Sequence, residues 1–260
     1  MKFNSSSMVI AGLFGAGIFF VSSITLAGIV RPVRLDCPLG TGIAKGFEMS
    51  SMYINDIGLD GRPYGPHQGT IPPPVCVDNG FVVYKDKFTD SELSHLEKYI
   101  FSPEYQQIWR SGSPAFYRLA KIYEYLEHPI HTYARLYLVA TWSFPSFRDD
   151  LSRRLQNQQK GGHRYYIREA IKVLNVAIDD MRSEQMIYDK RYVEFHYLLA
   201  ELYRRMGEFE SAQKKLDWVK NTDLETSFID PVILDYPDYL IAHEDSDAHR
   251  ASESLRIPSD

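Results

Sequence analysis

The 260-residue chain has only two cysteines, Cys37 and Cys76. Two thiols allow at most one disulfide and exclude a four-cysteine zinc site. Positive charge is not in excess: 29 Lys and Arg stand against 34 Asp and Glu, a net charge of −5. That balance argues against a general nucleic-acid binder, which is usually basic. No G-x-S-x-G, H-E-x-x-H, P-loop or G-x-G-x-x-G stretch occurs, so the common nucleophile, zinc-hydrolase and phosphate-binding signatures are missing. Much of the surplus acid sits at the end. From Asp235 onward the carboxylates are Asp235, Asp238, Glu244, Asp245, Asp247, Glu253 and Asp260, opposed only by Arg250 and Arg256.

What is present begins with MVIAGLFGAGIFFVSSITLAGIV, Met8 to Val30, which carries no charge. As a helix it would span roughly 34 Å, enough to cross a bilayer core. It has no polar face, so a soluble core helix is a poor reading. A secretory signal peptide is one alternative, with Lys2 as the charged n-region and Thr25-Leu26-Ala27 as the cleavage site. An uncleaved anchor is the other, and the length of the run favours it. Arg31, Arg34 and Lys45 follow the run; by the positive-inside rule they lean toward a cytoplasmic domain.

Residues 31 to 80 are rich in Gly, Pro and Asp, and Gly58 to Pro74 reads as a loop. Short strands are expected at Phe47 to Ile54 and Phe81 to Tyr84, the latter from the β propensity of Val82 and Val83. From Thr89 the pattern becomes helical. Thr89-Asp90-Ser91-Glu92 is a capping box, followed by Leu93, Leu96 and Ile100 on one face. Ser113-Pro114 starts the next helix, with Phe116, Leu119, Ala120 and Tyr123 as its inner face, and His128-Pro129 breaks it. A return helix covers Thr132 to Trp142. Arg148 to Lys160 reads as a polar connection and Gly161-Gly162 as a break. A third helix runs from about Arg164 to Met181, its stripe (Ile167, Ala170, Ile171, Leu174, Ala177, Ile178, Met181) repeating at three and four. LAELYRRMGEFESAQKKL, Leu199 to Leu216, looks like the middle of a tetratricopeptide repeat, with small Ala200 and Ala212 flanking a Gly207 turn.

Cys37-Pro38, the Gly-rich stretch after it, Pro74-Val75-Cys76, Gly80-Phe81-Val82-Val83-Tyr84, Phe88 and the tyrosine-rich helices beyond resemble the bacterial domain-of-unknown-function 2225 family over roughly residues 35 to 220. The resemblance implies a zinc-ribbon-like head carrying two C-x-x-C pairs, ahead of helical hairpins similar to tetratricopeptide repeats. It implies no activity. Here Gly40 and Asn79 occupy the second-cysteine positions. Even with His67 the site falls a ligand short of the four that structural zinc takes, so neither metal nor cofactor is expected. Two cysteines brought together by that fold would instead form a Cys37–Cys76 disulfide. Disulfides persist outside the reducing cytosol, so the pair points to export, against the positive-inside count.

The expected fold is mainly α: irregular tetratricopeptide-like hairpins, a small β and loop head, and one N-terminal transmembrane or signal helix. Residues 1–30 are the anchor or signal, 31–88 the degenerate ribbon-like head, 89–234 the helical domain and 235–260 an acidic, partly disordered tail. Elsewhere chemistry is sparse. His128 and His131 are separated by Pro129 and read as turn residues. His163 reads as a loop residue and His196 as a packed one. Asp149-Asp150 and Asp179-Asp180 read as solvated pairs, Arg153-Arg154 and Arg204-Arg205 as ordinary surface or, alternatively, partner contacts. The expected job is non-enzymatic: a membrane-associated scaffold or adaptor that binds another protein or membrane complex. It would sit in the bacterial envelope, anchored at the inner membrane by residues 8–30 with a periplasmic domain, or secreted to the periplasm. Tyr123, Tyr137, Tyr166, Tyr197 and Tyr203 are the candidate partner-binding residues. The rival readings are an envelope enzyme with its site in the loop-rich head around His67, and a cytoplasm-facing anchored adaptor with free thiols.

Overall fold

The computed structural model describes residues 30–49, 54–65, 70–143, 150–226 and 231–256. The apolar run that begins at residue 8 lies outside them except for Val30, as does His67. Among the described residues no helix is long and apolar enough to cross a membrane.

Over the described residues the protein is mainly helical, with two small sheets. In the larger sheet β1 (Val30–Asp36) pairs antiparallel with β2 (Ile43–Met49), Val33 opposite Gly46. β2 pairs in turn with β5 (Val75–Cys76), Ala44 opposite Cys76. β3 (Asp56–Ile57) and β4 (Pro63–Tyr64) make the second, two-stranded sheet. The strand expected over Phe81 to Tyr84 is reduced to one bridge, Val75 to Val82. Phe81, Val82 and Val83 are all buried (0%, 0% and 9% exposed). With no exposed face to alternate against, this β-prone run plugs the core beside α1 instead of extending a ladder.

Helices follow as α1 (Asp90–Ile100), α2 (Pro103–Arg110), α3 (Ala115–Tyr125), α4 (Ile130–Thr141), α5 (Asp150–Ser183), α6 (Lys190–Met206), α7 (Phe209–Asn221) and α8 (Pro231–Ala242), then a 3-10 turn, Ala251–Arg256. Thr89 caps α1 as expected: its side chain accepts from the Glu92 amide at 3.2 Å, and Glu92 accepts the Thr89 amide at 2.8 Å. Ser102-Pro103 starts α2, a short helix not anticipated from the pattern; Ser102 Oγ accepts from the Tyr105 amide at 3.2 Å. Pro114 precedes α3 as its N-cap and is not its first helical residue.

From α3 to α8 each helix packs on its neighbours in sequence, so the body is a serial stack. Its main core joins Tyr137, Leu138, Ile167, Leu174, Ile178, Phe195, Leu199 and Leu202. Gly207 closes α6 in the left-handed conformation, φ 78°, as its sequence position requires. Ala200 and Ala212, 1% and 0% exposed, let α6 and α7 approach. A second core welds the head to α1–α3 through Phe81, Leu96, Ile100, Tyr105 and Ile122.

Two expectations are corrected. Gly161-Gly162 does not break a helix, and 150–160 is not a connection: α5 runs unbroken from Asp150 to Ser183. Each interior glycine costs a helix only about 1 kcal/mol, and the apolar stripe from Ile167 onward packs between α4 and α6. The acidic C-terminal segment, expected to be partly disordered, is folded over its described residues, 235–256. α8 is clamped to α7 by Lys220 on Asp235 (3.1 Å) and on Asp238, and by Gln213 on Asp238 (2.9 Å). Beyond it, Gly58 bridges Arg250, and the Leu59 amide donates to the His249 carbonyl at 3.1 Å. Asp235, Asp238, Asp245 and Glu253 thus have protein partners, so their charge does not force the segment into water.

Candidate functional site

Two turns meet at the head. Cys37 opens the β1–β2 loop, its amide donating to the Gly42 carbonyl at 3.0 Å. Cys76 ends β5, and the Gly80 amide returns to the Cys76 carbonyl at 3.0 Å. The two sulfurs form a disulfide, with Cα atoms 5.6 Å apart. The other two positions of the implied C-x-x-C pairs also converge. A Cβ built on Gly40 would lie 3.0 Å from Asn79 Nδ2 and 2.6 Å from Asp78 Oδ2. Asn79, 1% exposed, donates to the Leu39 carbonyl at 2.6 Å and accepts the Phe81 amide at 2.9 Å. Its side chain therefore bridges the two turns, beside the disulfide. Cys37, Cys76 and Asp78 cluster within 4.8 Å, but bonded sulfurs are not thiolates and offer a metal nothing. From α2, Tyr105 donates to the Gly80 carbonyl (2.8 Å) and Gln106 to that of Asn79 (2.9 Å). Gly80 has φ +74°, and a Cβ there would meet Trp109 Cγ at 2.3 Å; only glycine fits that contact.

Where the chain leaves this turn, a cleft of about 340 Å³ opens between head and helices, lined by Tyr84, Lys85, Glu92, Tyr123, Leu126 and His128 among others. Edge-to-face ring pairs build its wall: Tyr84 with Phe88 at 5.2 Å and Tyr84 with Tyr123 at 5.5 Å. His128 lies 4.8 Å from the Tyr123 ring. Lys85 donates to Glu92 at 2.5 Å. That bond, with the Thr89 amide, holds the Glu92 carboxyl down to about 2. Burial first, then the neighbouring Tyr123 and Glu92, push the Tyr84 phenol up to about 12.

The five candidate tyrosines divide. Tyr137 and Tyr197, 2% and 7% exposed, are core residues with no ring face to offer a partner; Tyr137 donates to Glu124 at 2.9 Å. Tyr166 is half-buried against the Tyr117 ring. Tyr203 is half-buried and accepts from Asn175 at 3.1 Å. Tyr123 alone of the five lines the cleft. Helical spacing marks the inward face of a helix, so it selects core rings as readily as groove rings.

A second polar assembly was hidden from sequence. Arg204 is 0% exposed, and it is not a surface residue. It donates to both oxygens of buried Glu201, each at 2.8 Å, to the Asp247 carbonyl at 2.8 Å and to the Asp245 carbonyl. Arg205 pairs with Asp60 of the β3–β4 turn at 2.7 Å, both side chains nearly excluded from water. His249 faces Glu253 and Tyr236 with Nδ1 and Asp245 with Nε2. This network pins the C-terminal segment and the second sheet onto α6.

His163 joins it from α5, correcting its placement in a loop: it is 5% exposed, with Nε2 3.4 Å from Arg205 Nη2. Burial, then Arg205, Arg62 and Arg164, push its imidazole down to about 3. His196 is packed as expected, stacked on Trp218 at 3.6 Å. Burial, then Lys215 and Arg182, bring it to about 3. The unfolded chain binds protons at both below about 6.5, where the folded chain refuses them. Their contribution to stability is therefore lost as pH drops from about 7 toward 3, approaching about 1.4 kcal/mol per pH unit for each histidine well below 6.5. Urea midpoints between pH 7.5 and 5 should show this slope, and His196→Phe, which keeps the stack, should halve it. An unchanged slope would mean His196 protonates freely in the folded state.

Comparison with known proteins follows the helices and not the head. The family model "Uncharacterized protein conserved in bacteria (DUF2225)" matches residues 85–231, more than half of the chain, from just after the Cys76 turn to the start of α8. No curated protein and no solved structure matches. On the length of that match, the chain belongs to the bacterial DUF2225 family.

Proposed function

We propose that this protein is a non-enzymatic scaffold of the bacterial envelope, tethered to the inner membrane by residues 8–30, whose helical body of tetratricopeptide-like hairpins binds a peptide segment of a partner protein. The carrying observation is the aromatic cleft at the junction of head and stack, with Tyr123 and His128 at its lip. A serial helical stack offers such concave faces to partner chains. The cleft sets two tyrosine rings beside the Lys85–Glu92 ion pair, aromatic surface of the kind that anchors interfaces. The α6–α7 hairpin, closed by Gly207 with alanines at its contact, supports the repeat-like reading. The Cys37–Cys76 disulfide supports a periplasmic face, since such bonds persist outside the reducing cytosol.

The test is photo-crosslinking in cells. A photoreactive residue replacing exposed His128 should capture one discrete partner. The same group at Tyr188, 85% exposed on the α5–α6 connection, should not. Capture at both positions or at neither overturns the cleft as the partner site. Mass spectrometry of membrane-extracted protein under non-reducing conditions tests location. A Cys37–Cys76 cross-linked peptide, lighter by two hydrogens, supports the periplasmic face; free thiols in freshly alkylated cells place the domain in the cytoplasm.

A further inference from the structure

His131, expected in a turn, lies in the first turn of α4, 8% exposed, against the end of α5. There it meets Asp180, half-buried, and Glu184, exposed. One ligand atom from each of the three lies within 4.8 Å of the other two. His131 Nδ1 is buried and makes no hydrogen bond. It points at Asp180 Oδ2 from 3.7 Å. That is too long for a hydrogen bond, yet near the ~3.4 Å that separates two ligands held about 2.1 Å from one tetrahedral ion. Leaving a buried imidazole nitrogen empty beside a carboxylate costs free energy that an ion between them would recover.

We infer that His131, Asp180 and Glu184 form a binding site for a divalent first-row cation of the zinc class. One imidazole and two carboxylates suit such an ion better than Ca²⁺ or Mg²⁺, which favour all-oxygen sets. Asp180 lies in the last turn of α5 and Glu184, four residues on, just past its end, where the helix dipole favours a cation. Among the described residues no lysine or arginine pairs with either carboxylate. Asp189, the next carboxylate along the chain, is already held by Arg191 at 2.5 Å and is not a competing ligand. The site would bridge α4 and α5 and, with three protein ligands, leave a coordination position for water or a partner's side chain. None of the three lines the aromatic cleft.

The test is titration of the full-length, detergent-solubilised, non-reduced protein with Zn²⁺ alone, and with Co²⁺ to read coordination from its visible spectrum. One ion per chain is expected, with a nitrogen- and oxygen-ligand spectrum. Asp180→Asn and Glu184→Gln, both at accessible positions, should each weaken binding roughly tenfold or more, while Asp78→Asn leaves it unchanged. Circular dichroism melts of the metal-free variants show that they fold. His131→Gln, a buried change, is read only if its melt matches the parent. No stoichiometric uptake, or equal affinity in the parent and both carboxylate variants, overturns the site. Zn²⁺ binding lost only in Asp78→Asn would place the ion at the head and overturn it equally.

Discussion

Replacing Arg204 by alanine is expected to cost about 3–5 kcal/mol, the usual penalty for stranding one member of a buried ion pair. For a chain of this size that is a fall in melting temperature of about 6–20 °C. Glu201, 2% exposed, would keep its charge with no counter-ion, and the Asp245 and Asp247 carbonyls would lose their donor. The effect should therefore have a place as well as a size. Residues after Ala242 should become cleavable by protease while α3–α7 stay protected. Arg204→Lys keeps the charge but not the planar fork that serves both Glu201 oxygens and two carbonyls, and should recover only part of the loss. The double variant Glu201→Leu/Arg204→Met removes both charges and should be more stable than Arg204→Ala, because most of the single-variant penalty is the orphaned carboxylate. If the double variant is no better, the lost carbonyl contacts carry the energy, not the ion pair.

Breaking the Cys37–Cys76 bond should have the second large effect. The bond closes a separation of 39 residues. In the chain-entropy model such a loop confers roughly 4 kcal/mol by restricting the unfolded state. Reduction, or the Cys37→Ala/Cys76→Ala variant, should lower the urea midpoint and speed amide exchange first in β1, β2 and the 75–83 segment. Exchange in α6 and α7 should change least, since no residue of either packs in the apolar cluster that holds the two cysteines. The penalty should not be fully confined, because Phe81, Val82 and Cys76 pack in one cluster with Leu96, Ile100 and Ile122. A midpoint indifferent to reductant would show that the sulfurs are not bonded in the purified protein, and the argument for an oxidising compartment would lose its support.

These two effects differ in how visible they were beforehand. The disulfide follows from a cysteine count and a family resemblance. The Arg204 network could not be anticipated: Arg204-Arg205 looks like any basic pair on a helix, and its partners Asp245, Asp247 and Asp60 lie about forty residues ahead or far behind. Asp60 is 145 positions from Arg205. The metal-site ligands His131 and Asp180 are likewise joined only by the packing of α4 on α5.

The sequence by itself determined what depends on chemistry within a few residues. Thr89 with Glu92 starts α1, Gly207 ends α6, and the spacing of Ile167, Leu174 and Ile178 orients α5, because capping, left-handed turns and apolar periodicity act over one or two turns of chain. Tertiary structure decided the rest. It carried α5 through Gly161-Gly162, because packing outweighs a propensity cost of about 1 kcal/mol per glycine. It buried Phe81 to Val83 as a plug, sorted Tyr123 from Tyr137 and Tyr197, and drew an acidic C-terminal segment onto α6. Those outcomes turn on which distant groups exclude water from one another, a property of the assembled surface that no local pattern encodes.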